Sequence, residues 1–255
     1  MTLINYIVPK GYAESARLHG AVFAIGTEVI SACFVQGDEE ADRTVRGGLE
    51  EAGKYWLLET RTKSPVNENY IQKEMRCKTV INCAGLHGDE VEGFRLRGVN
   101  GYLGKQSRDD VCLPFTVTPR KGQFVVYTPR PEDVEAGKIP THVIEPVPTA
   151  RTKGVIIWKT VYGNVVVGPT AEDQTSKTDR SNDHSTIRML QEFGMHHIPA
   201  LENATVVGTY SGLRPSTEYR DYQIHARPGE AWITVGGIRS TGLTASSGIG
   251  SIASC

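Results

Sequence analysis

No two cysteines in this chain stand at CxxC spacing. The five are Cys33, Cys77, Cys83, Cys112 and Cys255, scattered and odd in number. That pattern argues against a zinc site and against a disulfide framework, and it fits a reducing compartment. An excess of charge of either sign is also missing: 28 Lys and Arg face 29 Asp and Glu, for a net charge of −1. Neither nucleic acid nor a charged membrane surface is therefore an expected partner. Long apolar runs are absent as well. Stretches such as Val155-Ile156-Ile157-Trp158 fall far short of the ~20 residues that cross a bilayer as a helix. No basic segment with a cleavage site follows Met1, so no secretory signal is visible. The expected location is intracellular, cytoplasmic or mitochondrial. There is no internal repeat, no low-complexity tract and no metal-ligand spacing.

What is present reads as mixed α and β. The pattern predicts a short helix from Tyr12 to His19, with Ala16 and Leu18 inward and Gly20 as a left-handed stop. Ala21 to Val35 and Lys54 to Thr60 are β-rich, and Gln36 to Gly53 between them is a charged, glycine-rich loop with some helical character. Lys78 to Gly85 reads as a buried strand entering a glycine turn. Phe115 to Thr128 is β-rich again. A hairpin spans Val155 to Val161 and Val165 to Gly168. Asp183 to Phe193 reads as a helix capped by Asn182 or Asp183 and stopped by Gly194, with His196 and His197 beyond its end. Thr205 to Tyr210 is a strand. A last hairpin joins Tyr222 to Ala226 with Ala231 to Val235, where Pro228 presets φ and Gly229 permits a positive φ. Two sheets and few helices are expected.

The final segment is the richest in chemistry. A β-branched run enters Gly236-Gly237, a short polar loop follows, and a helix begins at Thr241 or Thr244. The first N–H groups of a helix have no internal partner and carry a partial positive charge. They suit a phosphate or the electron-rich pyrimidine end of a reduced flavin. A plain glycine turn capping a helix would read the same. The chain stops at Cys255, only a turn or two into this helix, which leads us to expect a fragment.

Four motifs in order carry a resemblance. They are Val80-Ile81-Asn82-Cys83-Ala84-Gly85, Pro119-Arg120-Lys121-Gly122-Gln123, Gly168 to Asp173, and Gly212-Leu213-Arg214-Pro215 followed by Gly237 to Ser247. Together they resemble the FAD-dependent oxidoreductases of the D-amino-acid oxidase superfamily. The middle is most similar to the glycerol-3-phosphate dehydrogenase branch and, less closely, to the L-2-hydroxyglutarate oxidase branch. The resemblance implies an α/β (α+β) fold: a partial glutathione-reductase-like FAD domain at 1–110, an antiparallel-sheet substrate domain at 111–218, and a return to the FAD domain at 219–255. One element of the family pattern is missing. No strand with GxGxxG, the pyrophosphate site, occurs in residues 1–85. Gly248-Ile249-Gly250-Ser251-Ile252-Ala253 matches the string, but no strand immediately precedes it and too little chain follows for a βαβ unit. Weak FAD binding by the chain alone, or none, is the expectation.

The resemblance also implies roles. Gly237, Ser240, Thr241, Gly242, Leu243 and Thr244 are the expected flavin contacts, where backbone donors meet charge developing on the reduced ring. Ala84 and Gly85 would flank the dinucleotide, and Val29 would meet its adenine side through the backbone. Arg214 would hold the anion of a small substrate, because a guanidinium forks onto a carboxylate or phosphate; a structural pairing with Glu218 or Asp221 is the alternative. Arg120 and Lys121 would add anion contacts. His87 is weighed as a base and as a surface histidine. No catalytic residue is assigned, and the electron acceptor stays open. The implied activity moves a hydride from a CH–OH carbon, of glycerol 3-phosphate or a 2-hydroxy acid, to flavin N5. The rivals are an amino-acid or amine oxidase of the same superfamily and a non-catalytic truncated product.

Overall fold

The computed structural model describes residues 2–36, 53–64, 67, 69–102, 112–147 and 154–254. Most of the expected loop between Gln36 and Gly53 lies outside them. Along the chain run α1 (Thr2–Leu18), β1 (Thr27–Gln36), β2 (Lys54–Lys63), β3 (Tyr70–Cys77), β4 (Val80–Asn82), α2 (Gly88–Tyr102), β5 (Val117–Thr128), α3 (Pro131–Glu135), β6 (Ile156–Lys159), β7 (Val165–Gly168), β8 (Glu172–Asp173), α4 (His184–His197), β9 (Thr205–Thr217), β10 (Gln223–Arg227), β11 (Trp232–Gly236) and α5 (Gly242–Ala253). They fall into two compact units, one of Ser15–Val117 with Pro215–Cys255, the other of Met1–Glu14 with Thr118–Arg214.

The unit built from Ser15–Val117 and Pro215–Cys255 holds two small sheets. β1, β2 and β3 form an antiparallel meander. Alternation sets its faces: Trp56, Leu58 and Thr60 of β2 point inward, as do Ala32 and Phe34 of β1. The second sheet runs β10-β11-β4, with β4 parallel to β11. Trp56 and Trp232 meet edge to face with centroids 4.6 Å apart, and both are buried. Such a pair adds roughly 0.5–1.5 kcal/mol beyond its area. The Trp56 indole N–H donates to the Glu230 carbonyl at 2.7 Å.

A buried polar network joins α2 to β11. Glu92 is fully buried and accepts from Arg95 Nε at 2.7 Å, from Thr234 Oγ1 at 2.6 Å and from Arg227 Nη2 at 3.3 Å. Arg95 also pairs with Glu230. Trp232 Nε1 in turn donates to Thr234 Oγ1. Every charge in the set has an opposite partner, which is the condition for burying charge at all.

The other unit centres on one sheet, ordered β6-β7-β5-β8, with β9 also pairing with β5. One face carries Val125, Tyr127, Ile157, Val165 and Val167, covered by Leu190 of α4 and by Ile198 and Leu201 beyond it. The β6–β7 hairpin stands where it is expected, with Trp158 opposite Val166.

Five expectations change. Three sheets stand among the described residues rather than two. Gly194 does not stop α4, which continues to His197; Gly194 is buried, and a Cβ there would lie 3.0 Å from Val167 Cγ2. Its missing side chain serves close packing, and His196 and His197 belong to the helix's last turn. In the β10–β11 hairpin Gly229 sits within a 3-10 turn, and Ala231 takes the left-handed conformation at φ 49°. α1 begins well before Tyr12, and Leu18 is 72% exposed rather than inward. Gly20, at φ 93°, does end that helix. Finally, Lys78 to Gly85 yields only the three-residue β4, where Asn82 is buried and Ile81 is 51% exposed.

Candidate functional site

In the unit containing β4, β11 and α5, the strand ends and one face of α5, from Gly242 to Ser254 just past its end, form a cleft of about 530 Å³. Its walls include Cys83 and Gly85 after β4, Gly236 and Gly237 after β11, and Gly242 and Ser246 of α5. Gly237 is required by its backbone, which turns through φ 68°. Gly236 is required by space, because a Cβ would run into the Phe115 ring. Gly85, at φ 57°, has nothing within 4 Å of where a Cβ would stand, so it opens onto free space. Asn82 fixes the turn that follows β4. Its Nδ2 donates to Gly88 O at 2.8 Å, and its Oδ1 accepts from Ala84 N at 3.2 Å.

The loop between β11 and α5 is pinned from outside. Arg239 Nη2 donates to the carbonyls of Thr217 and Tyr219, at 3.1 Å for Thr217. The hydroxyls of Tyr222 and Thr241 share a hydrogen bond. Thr241 is the N-cap residue of α5, yet its side chain makes no capping bond. The helical ladder begins at Ala245, whose N–H donates to Thr241 O at 3.0 Å. The amides of Gly242, Leu243 and Thr244 thus lack an intrahelical acceptor. Because Tyr222 engages the hydroxyl that would ordinarily cap them, they stay available as donors. Arg239 and Tyr222 were not singled out by sequence. An arginine or tyrosine whose partners lie some 20 residues away leaves no local signal.

Of the expected flavin contacts, Gly85, Gly237 and Gly242 line the cleft. Ala84 precedes Gly85 in the chain, and Ser240, Thr241, Leu243 and Thr244 occupy the loop and first turn of α5 without lining it. Val29 is apart from them. It stands in register with Thr60, packs on the Trp56 cluster and does not line the cleft. His87 is exposed, and its Nδ1 lies 2.9 Å from Glu90 Oε2. Burial pushes the Cys83 thiol's pKa up, so it stays neutral near pH 7.

The expected anion contacts lie in the other unit. Arg214 Nη2 donates to Thr170 O at 2.8 Å. Its guanidinium fills the space above Gly122, where a Cβ would collide with Nη2. Neither alternative partner is needed, since Glu218 accepts from Thr116 N and Asp221 from Tyr222 N. Among the described residues no carboxylate lies within ion-pair distance of Arg214. Burial lowers its pKa, the neighbouring Arg120 lowers it further, and Asp173 partly restores it. Arginine stays charged regardless. Arg120 is forked onto Asp173, with Nε to Oδ1 at 2.6 Å and Nη2 to Oδ2 at 3.1 Å. Lys121 alternates to the opposite face, is buried, and lies 3.5 Å from Asp179 and 3.6 Å from Asp183. Of the three cations, only Arg214 makes no ion pair among the described residues.

Residues 8–255 match the family model described as FAD dependent oxidoreductase, DAO. A glycerol 3-phosphate dehydrogenase from Caloramator mitchellensis is 29% identical over 173 residues, covering 68% of this chain and 32% of that protein. The mitochondrial L-2-hydroxyglutarate dehydrogenase of Mus musculus is 27% identical over 156 residues, covering 58% of this chain and 30% of that protein. A solved structure, the dithionite-reduced L-α-glycerophosphate oxidase of Mycoplasma pneumoniae with FAD bound, superposes with a TM-score of 0.57 at 25% identity, covering 89% of this chain and 49% of that one. The matched stretch is less than half the length of each of these relatives. Among the described residues no helix is long and apolar enough to cross a membrane, and no His, Cys, Asp and Glu group could hold a metal ion.

Proposed function

Because the chain belongs to the DAO family of FAD-dependent oxidoreductases, we propose that it supplies the flavin-edge and anion-binding parts of an enzyme that oxidises a CH–OH carbon of a small anionic substrate. The proposal assigns 1–110 and 219–255 to the cofactor side and 111–218 to the substrate side. The observation that carries it is the cleft between the glycine-bearing ends of β4 and β11 and one face of α5, a face that begins at Gly242 in the helix's uncapped first turn. That donor set fits FAD. Gly242, Leu243 and Thr244 would offer N–H groups to its pyrimidine edge, with Gly237 and Gly85 giving the close approach. FAD, when bound, supplies a two-electron acceptor for the hydride leaving the substrate carbon.

The chain's own residues bind, orient and hold charge. Arg239 and Tyr222 fix the loop so that the amides need no reorganisation, the condition for electrostatic stabilisation to be worth its full value. Arg214 orients the substrate anion through its remaining donors. The relatives act, by name, on glycerol 3-phosphate and on L-2-hydroxyglutarate, each an alcohol beside an anionic group. One reaction class covers both.

Thr244→Pro tests the flavin side. Thr244 is the third residue of α5, within the first turn where proline costs a helix little. The change removes one donor and adds no charge. In flavin-loaded protein with intact fold and occupancy, the two-electron midpoint potential is expected to fall by about 6–43 mV, from roughly 0.3–2 kcal/mol of helix-terminus stabilisation. An unchanged potential would return the segment to a glycine turn that caps a helix.

A further inference from the structure

On the sheet that carries Arg214, the open face is aromatic. Phe124 of β5 stacks on Tyr210 of β9, with centroids 4.5 Å apart and planes 12° off parallel. Trp158 of β6 meets Phe124 edge-on at 6.2 Å. Two glycines make room for this layer. Gly122 lies under the Arg214 guanidinium, and Gly168 lies under the Phe124 ring, where a Cβ would strike Cδ1. Phe124 is two residues from Gly122 on the same face of β5, a pitch of roughly 7 Å. Gly168-Pro169-Thr170 spans the same interval, from beneath Phe124 to the carbonyl that holds Arg214. The guanidinium and the aromatic pair are thus neighbours on one floor.

Charge on that floor is limited. Among the described residues, Arg214 and Arg120 contribute two positive charges and Asp173 one negative, leaving a single net positive charge. Lys121 adds nothing, since it faces the other way among Asp179 and Asp183. A phosphate monoester carries about −1.5 to −2 at neutral pH. It would bring excess negative charge onto a half-buried site, whereas a carboxylate matches it.

We infer that Phe124 and Tyr210 set the substrate class of this site, selecting a monoanionic 2-hydroxy carboxylate with an apolar body over a polyol phosphate. The inference rests on the reading of Arg214 as the anion anchor. Tyr210 is 46% exposed, so it is the part of the wall a ligand meets.

The test is a titration of the full chain, followed by NMR saturation transfer, with 2-hydroxy-4-methylpentanoate, lactate and glycerol 3-phosphate. The branched acid is expected to bind at least about tenfold tighter than either of the others, since three further apolar carbons are partly buried. Tyr210→Ala should erase most of that preference while leaving lactate within about twofold, a change too small to reflect misfolding. Tyr210→Phe, which keeps the stacked ring, should retain the preference. Arg214→Leu should abolish binding of all three. Glycerol 3-phosphate binding as tightly as the branched acid, with that binding lost in Arg214→Leu, overturns the substrate class but leaves the anchor standing. Binding that survives Arg214→Leu, or no binding of any probe, overturns the anchor and the inference with it.

Discussion

Arg214→Leu is expected to lower kcat/KM of the flavin-loaded enzyme by about two orders of magnitude or more, with KM rising. A hydrogen bond to a charged group is worth roughly 1.5–3 kcal/mol, and a forked contact makes two. Arg214→Lys should recover little, because an ammonium cannot fork. The fold should tolerate the leucine. The lost contact is one bond to the Thr170 carbonyl, and no buried carboxylate is left behind. Steady-state kinetics with far-ultraviolet circular dichroism as a fold control would read the result. Parent-like kinetics in both variants would make Arg214 a prop for the strand after β7.

The largest stability effect is expected at Arg95. Replacing it with methionine leaves Glu92 fully buried with only Arg227 opposite, 3.3 Å away. Breaking a buried pair from one side costs about 3–5 kcal/mol. For a unit of this size that lowers Tm by roughly 6–20 °C. Removing both charges is a different matter. Glu92→Leu with Arg95→Met deletes the desolvation penalty together with the attraction, so the double variant should melt closer to the parent than either single one. Calorimetry on the three variants decides it, and simple additivity of the two losses would show that Glu92 and Arg95 do not act as a pair.

The network also explains why α2 left no trace in the sequence reading. Its buried positions include Asp89, Glu92 and Arg95, so the apolar period that reveals a helix is interrupted where it should be strongest. Where burial is apolar the pattern was legible. Trp56 and Leu58 alternate with less buried positions in β2, and the β6–β7 hairpin fell within a residue or two of its place. Gly194 misled because a helix-stopping glycine and a close-packing glycine are the same letter; only Val167 on the facing strand tells them apart. Ala231 misled for the opposite reason, since a left-handed alanine costs roughly 1–2 kcal/mol and has no sequence signature. At the candidate site the backbone donors could be read, because glycines and an N-terminal threonine announce them. Their supports, Arg239 and Tyr222, and the aromatic layer beside Arg214 are long-range facts, visible only once strands distant in sequence lie side by side.

β4 and β11 pair Val80 with Trp232, Ile81 with Ile233 and Asn82 with Thr234. The shortest strand in the second sheet therefore waits for a partner made about 150 residues later, after the whole Thr118–Arg214 unit. Loop-closure entropy grows only slowly with length, so the finished sheet loses little by this. The order of events is another matter. The inserted unit, with its local hairpin and adjacent helix, can collapse while the chain is still being made. The cleft cannot exist until the last strand arrives, because its two walls come from opposite ends of that long closure. Contacts of this separation slow folding and leave early partners waiting. Ile81, half exposed even in the finished fold, is the β4 side chain left open to a wrong strand during that interval.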